Sequence, residues 1–371
     1  MRTSIFGSFL LLFLSASLQA QFHNLDLPTA SPEVKEEQTL GITKIAMHYH
    51  SPMAHGRKVW EDGRTIPQKG EPIAWRAGAN MNTTISFSTD VYIEGQPLAA
   101  GTYGLHIIPD GHQHQVLFAH ANQLWGSYYL DLEKDISLEV SVQDTTCAYS
   151  EKLDYEFDHI NDSTLVLGLE WADRRIPIEI KVDLVKTVMT SLRSELRGED
   201  TYRWEAWNDA AQFCYDHQQH LEEGLSWVDH SINGGYGGFG ANPNLYNYST
   251  KLYLLGALNR TKEQKALLKE ALKLSGDRNA KLTFASALLR NGLYAEASQY
   301  LDAAQKELSD DWVVKLDRGV AYYHTGNSKK ALKLMKELEK EAPDFFQNRL
   351  KQVIAEMEAG SYQYPKAPHR S

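Results

Sequence analysis

Arg57, Trp60, Trp75, Arg76, Asn80, Asp90, Trp125 and Tyr128 combine guanidinium groups, indoles, a phenol, an amide and a carboxylate in the front part of the chain. A guanidinium grips a carboxylate through two parallel hydrogen bonds, and an indole face stacks on a sugar ring or another flat apolar surface. Brought together, these residues make a pocket for a small ligand or a glycan. A structural arrangement accounts for them equally well: Arg76 or Arg57 pairs with Asp90 beneath a sheet, Asn80 closes a turn, and the tryptophans fill a core.

Histidines form a second set. His48 and His50 are two residues apart, so on a strand they project from one face and supply two ligands of a divalent ion. A third ligand must come from elsewhere, and the other histidines of this region (His55, His106, His112, His114 and His120) offer no completed spacing. Packed or surface histidines are the stronger reading. Nucleophilic catalysis is weaker again, since Ser51, Ser86, Ser88 and Ser127 lie in no Gly-x-Ser-x-Gly elbow and Cys147 has no adjacent base to lower its pKa.

The elements that position these groups are strands. Trp75–Asp90 reads as a loop containing Gly78 and Asn80 that passes at Thr83 into alternation, Ile85 and Phe87 facing one way and Thr84, Ser86 and Ser88 the other. The same period recurs at Ile45, Met47 and Tyr49, at Ile136 to Val142, at Leu153 to Phe157, at Leu165 to Trp171 and at Ile176 to Val182. Eight or nine short strands without intervening helices predict an antiparallel β-sandwich or jelly-roll-like domain over 39–184, after an extended, apolar-poor lead-in at 21–38.

Near Val185 the period changes to about 3.6, with Val185, Val188, Met189, Leu192 and Leu196 on one stripe. Residues 185–202 are therefore a linker helix. Beyond it the chain is self-similar: Ala285 aligns with Gly319, Leu288 with Tyr322, Gly292 with Gly326 and Ala297 with Ala331. That spacing, about 34 residues, resembles the tetratricopeptide repeat and predicts an α-helical repeat domain over 203–345, four repeats in all, with a capping helix and tail at 346–371. The Gly-rich stretch 233–243 between the first two repeats reads as an insertion; neither a preceding strand nor a following Lys-Ser makes it a phosphate loop.

Several motifs in the front half, in order, carry a family resemblance. Ser51-Pro52, Gly56-Arg57-Lys58-Val59-Trp60, Trp75–Asp90, Ala100-Gly101-Thr102-Tyr103 and Trp125-Gly126-Ser127-Tyr128-Tyr129 are similar to the bacterial family known as domain of unknown function 2911. The resemblance spans roughly residues 25–183, about two fifths of the chain. It implies a β-rich secreted domain and assigns no catalytic residue. The chain departs from the family pattern at Glu61–Gly70.

Composition narrows the partners. A formal net charge of −10 argues against a phosphate-neutralising surface, so nucleic acid is not an expected partner. Met1–Ala20 has Arg2, a short apolar run and small residues before Ala20, which reads as a signal peptide directing export to the periplasm or the exterior. No segment is apolar enough to span a membrane. Cys147 and Cys214 fall in different predicted domains, and the sequence leaves open whether they pair. The reading favoured is a noncatalytic binding or scaffold protein, its repeats docking a protein partner and its β-domain binding a ligand or second partner. The alternative is a metal-dependent hydrolase or isomerase acting on cell-envelope or polysaccharide fragments.

Overall fold

The computed structural model of the chain describes residues 28–71, 73–308 and 311–366; the predicted signal segment lies outside them. The chain divides after Val182 into two compact units.

The first unit is built from ten strands among the described residues: β1 (Glu33–Leu40), β2 (Thr43–His50), β3 (Thr83–Phe87), β4 (Val91–Ile93), β5 (Gln96–Leu98), β6 (Gly101–Asp110), β7 (Gln113–Ala119), β8 (Ile136–Gln143), β9 (Thr145–Asn161) and β10 (Thr164–Lys181). They form two antiparallel sheets, ordered β1-β2-β3-β6-β7-β8 and β5-β4-β10-β9. Alternation explains the core: Ile45, Met47 and Tyr49 of β2, Ile85 and Phe87 of β3, and Leu165, Leu167 and Leu169 of β10 are all buried in it.

Two features differ from the sequence reading. The lead-in is a true strand from Glu33, paired with β2 along its whole length. As a sheet edge it buries only Leu40, which is why it looked apolar-poor. The two alternating sets at 165–171 and 176–182 belong largely to one continuous strand, β10. The large buried apolar side chains are odd-numbered before Ala172 and even-numbered after it, and Ala172 takes a left-handed backbone (φ 52°) where the register with β9 shifts. A bulge absorbs the change of phase that a turn would otherwise explain.

The second unit pairs helices in sequence. α1 (Leu184–Glu195) precedes α2 (Trp204–Asp216), α3 (Leu221–Asn233), α4 (Leu245–Ala257), α5 (Thr261–Ala271), α6 (Arg278–Arg290), α7 (Tyr294–Ala304), α8 (Trp312–His324), α9 (Ser328–Leu338) and α10 (Asp344–Glu358). Helices α2 to α9 make four successive hairpins, and α10 packs on α9. The repeated small residues sit where helices meet: a side chain on Gly319 would strike Met335, while Ala285, Ala297 and Ala331 are fully buried. α1 is more than a linker. Its apolar stripe covers the first hairpin, with Met189 buried and its sulfur 3.7 Å from the Cys214 thiol. Cys147 and Cys214 are both free.

Candidate functional site

Two long connections shape the open end of the β-unit, one between β2 and β3 (51–82) and one between β7 and β8 (120–135). Connections of this length inside a compact domain are usually binding segments. The first is pinned to the sheet by Trp75, whose N–H and carbonyl both bond Ile107 of β6 at 2.8 Å. The Trp75 ring stacks on Trp171 (6.1 Å between centroids, 12° between planes) and meets Trp60 edge-on at 5.7 Å.

Beyond Trp75 the backbone turns sharply. Ala77 and Asn80 have φ of 52° and 58°, a left-handed region unfavourable for Ala. The Ala77 carbonyl accepts two hydrogen bonds from the core, from Tyr155 Oη at 2.8 Å and Thr83 Oγ1 at 2.9 Å, and these fix the turn. Gly78 is needed there because a Cβ would stand 2.7 Å from Thr83 Oγ1. The turn aims Arg76 across the site, where its guanidinium donates to the Asn80 carbonyl and lies over the Tyr128 ring, 5.3 Å from the centroid.

These loops enclose a cavity of about 690 Å³. Of the predicted residues, Arg57, Trp75, Arg76, Asn80 and Tyr128 line it. Trp60, Asp90 and Trp125 do not. The Trp60 indole turns into the core and donates to the Trp171 carbonyl at 2.8 Å. Asp90 sits beside β4, accepting the Ala100 N–H at 3.0 Å, and pairs with neither arginine. Trp125 is 58% exposed and outside the lining. Arg57 is held by the carbonyls of Ala54 and Met53.

Among the described residues the histidine pair is joined by no third ligand. His48 and His50 do share a face, their rings 6.3 Å apart, but His48 Nε2 is bonded to Glu33 at 2.5 Å. Burial lowers the His50 pKa. Among the described residues no group of three or more His, Cys, Asp or Glu is placed to hold an ion.

Sequence reasoning missed two parts of the site. Asp62, Gly63, Arg64, Thr65 and Pro67 also line the cavity, so the segment in which this chain departs from the family pattern supplies one wall. Among the described residues, none of Arg57, Arg64 and Arg76 has a carboxylate within ion-pair distance; Asp62 is instead engaged by Thr65 and the Arg64 N–H. The second omission is a buried pair at the lining, where Ser127, itself a lining residue, places its Oγ 2.7 Å from Nδ1 of His106, which is 0% exposed. Burial, reinforced by Arg76, pushes the His106 pKa down to about 4. This imidazole is neutral at pH 7, and its Nε2 has no hydrogen-bond partner among the described residues. No local signal links positions 21 apart on different elements.

Residues 31–180 match the family described as protein of unknown function DUF2911. The cavity-lining residues, from Ser31 to Trp171, therefore all lie within the stretch that matches this family. Residues 288–357 match a tetratricopeptide repeat family, which supports a protein-binding scaffold for the helical unit. Among solved structures the chain is similar to YrrB, described as a TPR protein with an unusual peptide-binding site, at 18% identity and a TM-score of 0.32, over 46% of this chain and 86% of that one. No curated protein matches. Among the described residues no helix is long and apolar enough to cross a membrane.

Proposed function

We propose that this is an exported, noncatalytic binding protein whose repeats dock a protein partner and whose DUF2911 domain holds an acidic small molecule or acidic glycan fragment. The observation that carries the ligand half is the cavity chemistry: three guanidinium groups against the carboxylates of Asp62 and Glu71, beside the exposed ring of Tyr128. Arginines without a carboxylate partner suit a planar anion, and ring faces suit a sugar. The helical half follows from stacked hairpins, which build an extended concave surface. The leader-like composition of Met1–Ala20 supports the export part of this reading.

Calorimetric titration with uronate-containing oligosaccharides and small carboxylates, set against neutral counterparts, tests the ligand half. Binding is expected for acidic compounds alone, weakened by salt and lowered roughly tenfold or more by Arg76→Ala. Absence of binding across the acidic series overturns it. For the docking half, immobilised full-length protein should retain a specific envelope protein that a control column does not.

A further inference from the structure

The chain does not stop at α10. Gly360 takes a left-handed backbone (φ 76°), the Ser361 and Tyr362 N–H groups cap the helix on the Glu356 carbonyl, and the segment Ser361–Lys366 turns back over the repeats in extended form. Its burial alternates. Tyr362 is 4% exposed and Tyr364 is partly buried against the helical core, while Ser361, Gln363 and Pro365 face solvent. Both tyrosines therefore point into the face formed by the first helices of successive hairpins.

Each makes a defined contact there. Tyr362 meets Tyr323 edge-on at 5.9 Å and lies 5.8 Å from His324, both at the end of α8. Tyr364 reaches Ser286 of α6 and lies near Tyr253 of α4, so the segment crosses α8, α6 and α4 in turn. Arg290 Nη1 donates to the Lys366 carbonyl at 3.3 Å. Among the described residues, that is the one hydrogen bond holding the main chain beyond Tyr362. Lys366 borders a cavity of about 230 Å³ on this face, lined also by Tyr253, Arg290 and Asn291 and reaching Tyr215 of α2.

We propose that this face is a recognition groove for an extended peptide carrying aromatic residues at alternate positions, and that Ser361–Lys366 fills it in cis as a built-in stand-in which the partner displaces. The proposal rests on the reading of the repeats as a docking domain and names the partner's chemistry. An extended segment anchored by side chains at every second residue, with a single guanidinium-to-carbonyl tie, is bound as a peptide ligand is bound, through pockets for alternate residues. A cis occupant reduces the groove's apparent affinity by the fraction of time it is filled, so a partner must offer more than the stand-in does. The cavity lined by Tyr253, Arg290 and Asn291 provides additional contacts for a longer segment.

The probe is a fluorescein-labelled peptide of sequence Ser-Tyr-Gln-Tyr-Pro-Lys, read by fluorescence polarisation against the full chain and a chain lacking residues 361–371. The shortened chain should bind it at least about tenfold more tightly than the full chain, and a peptide with both tyrosines changed to alanine should bind neither. Arg290→Ala in the shortened chain should weaken binding several-fold. Equal or absent binding by a shortened chain that keeps the full chain's circular dichroism and cooperative melting overturns the proposal. If the shortened chain unfolds, full-length Tyr364→Ala decides: tighter peptide binding than wild type upholds the proposal, and unchanged binding overturns it. Failure of the peptide experiment alongside retention of an envelope protein by the full chain would remove the groove's stand-in while leaving the docking role intact.

Discussion

The Arg76 guanidinium stands over the Tyr128 ring at 5.3 Å, in the space a side chain on Gly126 would fill: a Cβ there would lie 2.2 Å from Arg76 Cζ. Gly126 also has φ of 67°, so its absent side chain is required twice, once by the backbone and once by the arginine. Gly126→Ala should destabilise the fold by about 1–2 kcal/mol, and it should also expel Arg76 and abolish binding of acidic ligands. Arg76→Ala removes the same binding while lowering stability by about 1 kcal/mol or less, because the group has no buried carboxylate to strand. Thermal melting and ligand titration on both variants separate these outcomes. A Gly126→Ala protein that bound acids normally would show that Arg76 does not reach the ligand.

Within that lining, Ser127 supplies the partner of a buried imidazole. Ser127→Ala should leave His106 Nδ1, like its Nε2, without a partner among the described residues, at a cost of about 1–3 kcal/mol. Denaturant melts measure this directly, and a Ser127→Ala protein as stable as wild type would show that water replaces the hydroxyl.

Much of this architecture was legible from period alone. Ile85 and Phe87, or Leu165, Leu167 and Leu169, can be assigned to a buried face because a strand's side chains alternate, and Gly319 to a helix contact because Met335 leaves no room beside it. Period failed where the backbone broke its own rule. The bulge at Ala172 disguised one strand as two, and the edge position of β1 removed the apolar signal. The site divided along similar lines. Trp75, Arg76 and Asn80 are neighbours on one loop, so local chemistry revealed them, whereas His106 with Ser127 depends on a pairing that only the folded sheet creates. Trp60 was misleading because an indole that stacks on sugars is chemically the same as one that donates into a core.

The same dependence on long-range pairing applies to Asp144, which gathers three donors from separate elements. His114 Nε2 and Arg174 Nη1 lie 2.9 and 3.1 Å from its Oδ2, and His112 Nδ1 lies 2.7 Å from its Oδ1. Burial tends to raise this carboxyl's pKa, but the bonds from His114 and His112 hold it below the usual range. Asp144→Ala strands the fully buried His114 and the largely buried Arg174, and should cost about 3–5 kcal/mol. Calorimetric unfolding would register this as a large fall in Tm, and a change near zero would show that the cluster is solvated in solution.

Asp317 of α8 is a carboxyl with the opposite balance. It is 5% exposed, and burial raises its pKa to about 7, with Arg290 opposing and Asp311 assisting; Tyr362 and Tyr364 of the returning segment also face it. An unfolded aspartate titrates near 3.8. Below that value both states are protonated and the contribution to stability is complete; from there to about pH 7 the unfolded chain ionises first, and stability falls as pH rises. Asp317→Asn removes the ionisation while preserving shape, so it should be nearly neutral at about pH 4 and stabilising by up to about 4 kcal/mol at about pH 8. The check is the difference in unfolding free energy between variant and wild type across that range. A difference that stayed constant with pH would mean that Asp317 ionises in the folded protein as readily as in the unfolded chain, and that the groove beneath Tyr362 and Tyr364 is open to water.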